Sequence, residues 1–273
     1  MIKCIVSGAK GRMGVKIISE VLKQDDIEVV GALCRPGDSA VGTINTHGVP
    51  FADSLSELET DRAILVEFST PQAAIAHLEQ ALCIGMPVVI GTTGFTEEQE
   101  KFILEASQRI PIIESHNYGI GMNAFWEILK VAVGYLGDDY DIEVVEFHSA
   151  EKPDVPSGTG KTIVQLLADA RADDFDNVVR YGREQDRKFH RKRHEIGIHS
   201  LRAGSYRSDH TVIFAGNGER LEFTHREEDQ AIIARGVMWA MRYLEGRDAA
   251  LYGMQDVLGF MRKSAGVDHH SIL

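Results

Sequence analysis

The stretch Ile2-Lys3-Cys4-Ile5-Val6-Ser7-Gly8-Ala9-Lys10-Gly11-Arg12-Met13-Gly14 decides the fold of this chain. It begins with a nearly continuous apolar run, which is typical of a strand buried on both faces of a parallel sheet. A GxxGxxG turn follows, apolar residues then recur at helical spacing as far as Leu22, and a second strand-like run covers residues 28–34. Strand, glycine turn, helix and strand within about 30 residues predict a dinucleotide-binding βαβ unit; the alternative is an ordinary tight turn.

The end of the second strand should carry the residue that contacts the adenosine ribose of a dinucleotide. An acid there favours NADH, because it holds the 2′-hydroxyl, whereas a cation accommodates the 2′-phosphate of NADPH. The chain has Cys34 and then Arg35, with no carboxylate before Asp38. We therefore expect NADPH to be preferred and NADH to be possible, unless Arg35 is only a surface charge.

Strands and helices continue to alternate up to residue 121. Apolar runs at 64–68, 87–90 and 111–113 predict strands, and loops rich in Gly, Ser, Thr and Asn follow two of them, at 91–94 and 115–119. In a doubly wound sheet the loops at the carboxyl ends of the strands converge on the ligand. The repetition of small polar loops therefore supports a ligand site at one edge of the sheet.

The pattern changes after Gly121. A long helix is predicted over residues 122–136, and strands with one polar face, as in an antiparallel sheet, are predicted afterwards. They cover residues 142–148, 196–202, 211–215 and 221–225, and a last helix covers 230–244. The predicted fold class is α/β: an N-terminal Rossmann-type doubly wound parallel sheet (residues 1–121 and 230–273) with an inserted α+β mixed-sheet domain (residues 122–229).

A candidate catalytic stretch lies inside the inserted domain, at residues 145–162. An apolar alternation delivers His148 and Lys152 to the end of a strand, and Ser157-Gly158-Thr159 opens the next helix. A Ser/Gly/Thr turn at a helix N-terminus suits a carboxylate or phosphate, and an imidazole and an ammonium upstream of it could protonate a bound acid. The alternative is a helix cap beside solvated charges.

Composition excludes several classes of protein. The net charge of −12 argues against general nucleic-acid binding, and no apolar run approaches membrane-spanning length. The three cysteines lie far apart without a CxxC pair, which predicts reduced thiols in a cytoplasmic protein.

A basic run occupies residues 180–194 of this acidic chain. Such a run is usually a solvated loop, but it could also attract a dianionic substrate or an acidic patch on a neighbouring subunit. His190 and His194 have helical i, i+4 spacing, yet the dense positive charge disfavours a metal, and no metal site is predicted. The basic residues are Arg180, Arg183, Arg187, Lys188, Arg191, Lys192 and Arg193.

The sequence resembles the dihydrodipicolinate reductase family essentially from end to end. The matching segments are residues 6–14, 68–71, 89–95, 117–123, 146–159, 202–204 and 218–225. The resemblance implies an N-terminal Rossmann domain, a central domain that binds a dicarboxylate substrate and mediates formation of a homotetramer, and NAD(P)H as hydride donor. The implied reaction is the reduction of a cyclic dicarboxylated imine.

The resemblance also implies roles for individual residues. Residues of the glycine turn would hold the cofactor pyrophosphate, Arg35 the 2′-phosphate, and two later loops would line the nicotinamide. His148 would be the acid–base residue, Lys152 the proton donor, and Ser149, Ser157, Gly158 and Thr159 would contact substrate. The implied cofactor residues besides Arg35 are Gly8, Ala9, Lys10, Gly11, Arg12, Met13, Gly91, Thr92, Thr93, Ser115, His116, Asn117 and Tyr118.

The chain departs from the family pattern at three places. Ser149 stands where the family usually has a second histidine, Cys34 replaces a common acid, and Glu228-Asp229-Gln230 replaces Ser-Ser-Arg. From the resemblance and from Arg35, the first hypothesis is an NADPH-preferring 4-hydroxy-tetrahydrodipicolinate reductase. The alternatives are a paralogous imine reductase for another carboxylated heterocycle and a nucleotide sensor without turnover.

Overall fold

The computed structural model describes residues 1–183, 190–205, 207–229 and 231–264, and the chain forms two compact units. The first unit comprises Met1–Ile120 and the described chain from Ala231, and the second unit comprises Gly121–Gln230. The boundaries expected from the sequence lie within one residue of these.

The described residues form the following elements in chain order. The strands are β1 (Ile2–Ser7), β2 (Ile27–Leu33), β3 (Phe51–Ala52), β4 (Ala63–Glu67), β5 (Val88–Ile90), β6 (Ile112–Glu114), β7 (Asp141–His148), β8 (Val179–Tyr181), β9 (Ile196–Arg202), β10 (Ser208–Ala215), β11 (Arg220–Glu227) and β12 (Leu251–Tyr252). The helices are α1 (Arg12–Val21), α2 (Pro71–Ile84), α3 (Glu97–Ser107), α4 (Ile120–Leu136), α5 (Gly158–Ala170), α6 (Phe175–Val178), α7 (Ala231–Leu244) and α8 (Met254–Ser264).

The first unit is built on a seven-stranded sheet in the order β12-β6-β5-β4-β1-β2-β3, and every neighbouring pair is parallel. One apolar cluster packs α1, α7 and α8 on one face, and a second packs α2 and α3 on the other. Central strands are buried on both faces, as their continuous apolar runs require. The prediction of a doubly wound parallel sheet is confirmed.

Local sequence signals fix the ends of two helices in the first unit. The Thr70 side chain accepts a hydrogen bond from the Ala73 N–H, Pro71 occupies the first turn, and α2 ends at Gly85 with φ of 70°. Thr96 forms a complete capping box with Gln99 at the start of α3. Thr96 therefore caps α3 through its side chain.

The second unit contains a five-stranded sheet in the order β11-β10-β7-β9-β8. Helices α4 and α5 cover one face, where Phe125, Leu129 and Ile163 pack against Val144, Ile198 and other buried apolar residues of the strands. Side chains on the opposite face of β7 and β10 are only half-buried. The alternating pattern of these strands follows directly from this one-sided burial.

The sheet of the second unit is mixed, so the prediction of an inserted mixed-sheet domain is confirmed, although the alternation of its strands by itself resembled that of an antiparallel sheet. Strand β10 runs antiparallel to β7 and β11, but β9 runs parallel to both β7 and β8. Alternation reports which face is buried, and it carries no information on strand direction. The short strands β3, β8 and β12 were not expected from the sequence.

Within the described part of the chain, no helix has the length and apolar character needed to cross a membrane.

We expect Gly14→Ala to lower the free energy of unfolding by about 2 kcal/mol, which is typical of overpacking against backbone. A Cβ on Gly14 would overlap with the carbonyl oxygen of Gly8 and lie 2.7 Å from Ala9 Cα. The matched control is Gly134→Ala in α4, where a Cβ meets nothing within 4 Å. Helix propensity should make that change stabilising by about 1 kcal/mol. Chemical denaturation of both variants measures the change in the free energy of unfolding. Equal changes in the two variants would contradict the close approach of Gly14 to the Gly8 and Ala9 backbone.

Candidate active site

The carboxyl ends of the parallel strands in the first unit bring the predicted loops together. Residues 8–14 follow β1, residues 91–94 follow β5 and residues 115–119 follow β6, and β4 lies between β1 and β5. Because all these strands are parallel, their following loops lie at one edge of the sheet. A fourth loop, residues 68–70 after β4, joins them.

The glycine turn leaves a helix N-terminus open to an anion. Gly8 has φ of 68°, and a Cβ there would overlap with the Phe68 carbonyl oxygen, so the turn requires glycine. The N-cap of α1 is Gly11, which offers no side-chain hydrogen bond to the first turn. The N–H groups of that turn and the helix dipole therefore favour a bound phosphate group.

A cavity of about 540 Å³ lies against the glycine turn. It reaches Gly8, Ala9, Lys10 and Gly11 on one side and Cys34 and Arg35 at the end of β2 on the other. Among the other predicted residues of the turn, Arg12 is exposed, and Met13 packs against the apolar core. The cradle of glycines and the open helix end fit a dinucleotide with its diphosphate at α1.

Both signs of charge occur where the second strand ends. Arg35 is exposed, and the Lys10 ammonium lies 2.6 Å from a carboxylate oxygen of Asp38. The hydrogen bond from Lys10 and a second one from the Ala40 N–H hold the pKa of Asp38 below its ordinary value. This end of the cavity thus offers two cations and one carboxylate.

A buried carboxylate that the sequence analysis did not single out supports these loops. Glu67 ends β4 and is fully buried. It accepts hydrogen bonds from the Ser7 hydroxyl at 3.1 Å, the Ser69 N–H at 2.9 Å and the Ser69 hydroxyl, and its other oxygen lies 2.7 Å from His77 Nδ1. The available signal was an acid at the end of an apolar strand, where a charge is unexpected unless it is paired.

The loops after β5 and β6 differ in what they present to a ligand. The Phe68 ring fills the space where Gly91 would carry a Cβ, and it packs 5.7 Å from the Tyr118 ring. Tyr118 is buried, and its hydroxyl donates a hydrogen bond to the Ile90 carbonyl, so its side chain faces the interior. Thr92 is also buried and accepts a hydrogen bond from the Ser69 N–H.

Some of the remaining polar side chains of these loops form hydrogen bonds with backbone groups of the same loop. The Ser115 hydroxyl donates to the Asn117 carbonyl, and the Asn117 side chain accepts from the Gly119 N–H. Thr93 and His116 are exposed. Of the predicted nicotinamide-lining residues, these two present free surface, whereas Tyr118 can contribute only through its backbone.

In the second unit, His148 lies at the carboxyl end of β7 and is 4% exposed. Its Nδ1 lies 3.0 Å from the Arg207 carbonyl oxygen, which can only accept, so Nδ1 carries the proton. The Nε2 atom has no hydrogen-bond partner and lies 3.7 Å from a carboxylate oxygen of Glu146. This orientation directs the buried Nε2 atom toward the Glu146 carboxylate.

Lys152 and the N-terminus of α5 follow in the same loop. The Lys152 ammonium lies 2.9 Å from Asp154 and is partly exposed, as is Ser149. Gly158 and Thr159 form the first turn of α5, and Ser157 is the N-cap, whose hydroxyl accepts from the Gly160 N–H. Ser157 is 2% exposed, so it supports the turn from inside.

Glu146 is the buried centre of this loop. Its carboxylate accepts from the Ser157 N–H at 3.0 Å, the Ser157 hydroxyl, and Arg202 Nη2 at 2.8 Å. Burial alone would raise the pKa of Glu146, but the neighbouring His148, Ser157 and Arg202 side chains hold this pKa well below its ordinary value. Glu146 is therefore ionised.

Among the described residues, one group of three potential metal ligands has its ligating atoms within 4.8 Å of one another, and it consists of Glu146, His148 and His210. The His210 ring lies 5.2 Å from His148, and burial, followed by the charge of His148, lowers the pKa of His210 to about 3. Ser157 and Arg202 already use the Glu146 oxygens, and the guanidinium repels a cation. The cluster fits a hydrogen-bonded network better than a metal site.

Three arginines of the basic run pair with acids of the second unit. Arg183 and Arg191 contact Glu143 and Glu195, and Arg193 contacts Asp138. His194 lies 3.0 Å from Asp173, and residues 190–194 are not helical. The Arg180 side chain donates to the carbonyls of Asn177 and Val179, while Arg187 and Lys188 lie outside the described residues, as does Gln230.

Comparisons with known proteins agree with this architecture. The profile of the dihydrodipicolinate reductase N-terminus matches residues 2–118, and that of the C-terminus matches residues 121–258. A 4-hydroxy-tetrahydrodipicolinate reductase of Methanoculleus marisnigri is 40% identical over 95% of this chain and 100% of that protein. The same enzyme of Pseudomonas fluorescens is 37% identical over 94% of this chain and 99% of that protein.

A solved structure shares the fold. The dipicolinate-bound dihydrodipicolinate reductase of Paenisporosarcina sp. TG-14 superposes with a TM-score of 0.77 at 22% identity, covering 93% of this chain and 97% of that one. Together with the two profiles and the relatives above 30% identity, this establishes that the chain belongs to the dihydrodipicolinate reductase family.

Proposed function

We propose that this protein is an NAD(P)H-dependent 4-hydroxy-tetrahydrodipicolinate reductase of lysine and diaminopimelate biosynthesis. The observation that carries the proposal is the membership of nearly the whole chain in the dihydrodipicolinate reductase family. The open N-terminus of α1 and the loop in which Lys152 precedes the N-terminus of α5 at Gly158 are the features that this reaction needs.

Bound NAD(P)H supplies the hydride in this reaction. The first turn of α1 would hold its diphosphate, with Arg35 and Lys10 toward the adenosine ribose. The residues of the second unit then have two tasks, which are to fix a dicarboxylate and to deliver a proton.

Gly158 and Thr159 would bind one substrate carboxylate through the N–H groups of the first turn of α5 and the Thr159 hydroxyl. This orients a flat heterocycle before the reaction. A cyclic imine that takes up a hydride must also take up a proton, and Lys152 is the proposed donor because its ammonium is the acid of this loop. His148 Nε2 is the proposed acid–base partner, since the bond from Nδ1 to Arg207 leaves it available.

Ser149 favours a second candidate, a paralogous reductase acting on another carboxylated heterocycle. Ser149 is half-buried beside His148, at the position where the family usually has a second imidazole. A hydroxyl is smaller and carries no positive charge, so it would accept a different substituent on the ring.

The proposed oligomer is a homotetramer formed through the second unit. The face of its sheet opposite α4 and α5 carries the apolar side chains of Val145, Phe147, Ile213 and Leu201 among polar ones, and Leu201 is 48% exposed. Burying these apolar side chains against another copy is favourable. Light scattering should then give a mass near four times the 30.2 kDa of one chain, and a monomer at micromolar concentration would contradict the proposal.

The reaction is tested by supplying the condensation product of pyruvate and aspartate semialdehyde and following NADPH oxidation. We expect Lys152→Met to lower kcat by about 10²- to 10³-fold, the usual contribution of a general acid. The matched control is Lys130→Met, which removes another lysine from a carboxylate pair, with Glu127 at 2.7 Å. Full activity of the Lys152 variant would remove this assignment, and NADPH binding without turnover by the unaltered protein would favour the second candidate.

Cofactor preference is tested at Arg35. We expect Arg35→Ala to weaken NADPH binding by about 10-fold or more and NADH binding much less, because a charge-assisted contact to phosphate is lost. Arg109→Ala is the control, since Arg109 is exposed and precedes β6 at the opposite end of the strands. Calorimetric titration with both cofactors measures the ratio, and equal losses would show that Arg35 does not contact the 2′-phosphate.

A further inference from the structure

In the second unit, an ion pair between a buried carboxylate and a partly buried guanidinium joins the groups proposed to act on substrate. Glu146 on β7 is fully buried, and Arg202 at the end of β9 lies beside it, with Nη2 2.8 Å from Glu146 Oε1. A buried carboxylate and guanidinium stabilise a structure little unless both are fully hydrogen-bonded. Arg202 Nη1 also donates to the Leu201 carbonyl of β9, and the partners that the pair shares beyond the sheet, Lys152, Asp154 and Ser157, belong to one loop.

Glu146 holds the loop from the side of α5. It accepts the N–H and the hydroxyl of Ser157, the N-cap residue, whose hydroxyl in turn accepts from the Gly160 N–H. A Cβ on Gly160 would come within 3.3 Å of the Glu146 carboxyl carbon, so the helix starts directly against the carboxylate. The direction in which the Gly158 and Thr159 amides point therefore depends on Glu146.

Arg202 holds the other end of the loop. Its Nη2 donates to the Asp154 carbonyl at 2.6 Å, and its Nε lies 3.4 Å from the Lys152 carbonyl. These two carbonyls fix the backbone from which the Lys152 side chain extends. The planar fork of arginine reaches both carbonyls and Glu146 at once, and lysine has no equivalent geometry.

We propose that Glu146 and Arg202 are a pair of positioning residues. They hold the proton-donating Lys152 and the carboxylate-binding turn at Gly158–Thr159 at fixed positions relative to each other. The pair touches neither the substrate nor the cofactor. It acts through the backbone of the loop at one end and through the N-cap of α5 at the other. The inference rests on the proposed function, because it assigns a role relative to that substrate.

The test uses Glu146→Gln, Arg202→Met and Arg202→Lys in the full-length protein. Misplacing both groups should raise KM for the substrate by about 10-fold and lower kcat by about 10- to 100-fold, since small displacements are costly in catalysis. Arg202→Lys should recover only part of the loss. The double variant should be no worse than the worse single variant, because the two residues act as one unit.

Two further measurements separate positioning from loss of folding. Binding of NADPH, which we assign to the first unit, should change by less than twofold. Binding of pyridine-2,6-dicarboxylate, a flat probe with two carboxylates, should weaken by about 10-fold in both Glu146→Gln and Arg202→Met, in line with the rise in KM. If Glu146→Gln fails to fold, the same kinetic and binding measurements on Arg202→Lys test the proposal.

The matched control is Glu143→Gln. Glu143 lies on the same strand, three residues earlier, and pairs with Arg183 and Arg191 without contacting the loop. Its kinetics should stay within twofold of the unaltered protein. If the Glu146 and Arg202 variants behave like this control, the inference is wrong while the proposed function stands; if the unaltered protein does not reduce the substrate, the proposed function itself is wrong.

Discussion

A buried carboxylate at the end of a strand is the constraint on which each unit depends. Such a group costs free energy unless hydrogen bonds surround it, so the residues that supply those bonds must stay in place. Glu67 at the end of β4 holds the loop at Ser69 and the side chains of Ser7 and His77 in the first unit. Glu146 holds Ser157 and Arg202 in the second. In both units, the loops proposed to bind ligands are anchored by hydrogen bonds to a buried carboxylate.

The two helix N-termini proposed to bind anions differ in how their first turns are capped. The first turn of α1 begins at a glycine without a side-chain cap, so its N–H groups are available to a diphosphate. The first turn of α5 begins at Ser157, whose hydroxyl satisfies one N–H and is itself anchored to Glu146. The α5 turn is therefore more strongly held, which suits the orientation of a small dicarboxylate.

The elements of the fold were largely predictable, because hydrophobic periodicity and the residues that begin or end helices are local sequence signals. Continuous apolar runs marked β1, β4 and β5, and Thr96 and Pro71 marked helix starts. The parallel direction of β9 beside β7 was not predictable, since alternation is the same for either direction. The residues of the candidate site were likewise predictable only in part. The loop with His148, Lys152 and Gly158 stands out in the sequence, whereas Tyr118 was expected near the nicotinamide and has its ring buried.

The sequence by itself determined the order and type of most of the longer elements, the two helix starts at which we propose anion binding and, through its long motifs, the family. Only the tertiary structure decided which side chains meet. Ser7 and His77 reach Glu67 across 60 and 10 residues, and Arg202 reaches Glu146 across 56. The physical reason is that such contacts depend on strand order and register, and hydrogen bonds between distant residues form only after the sheet has set both.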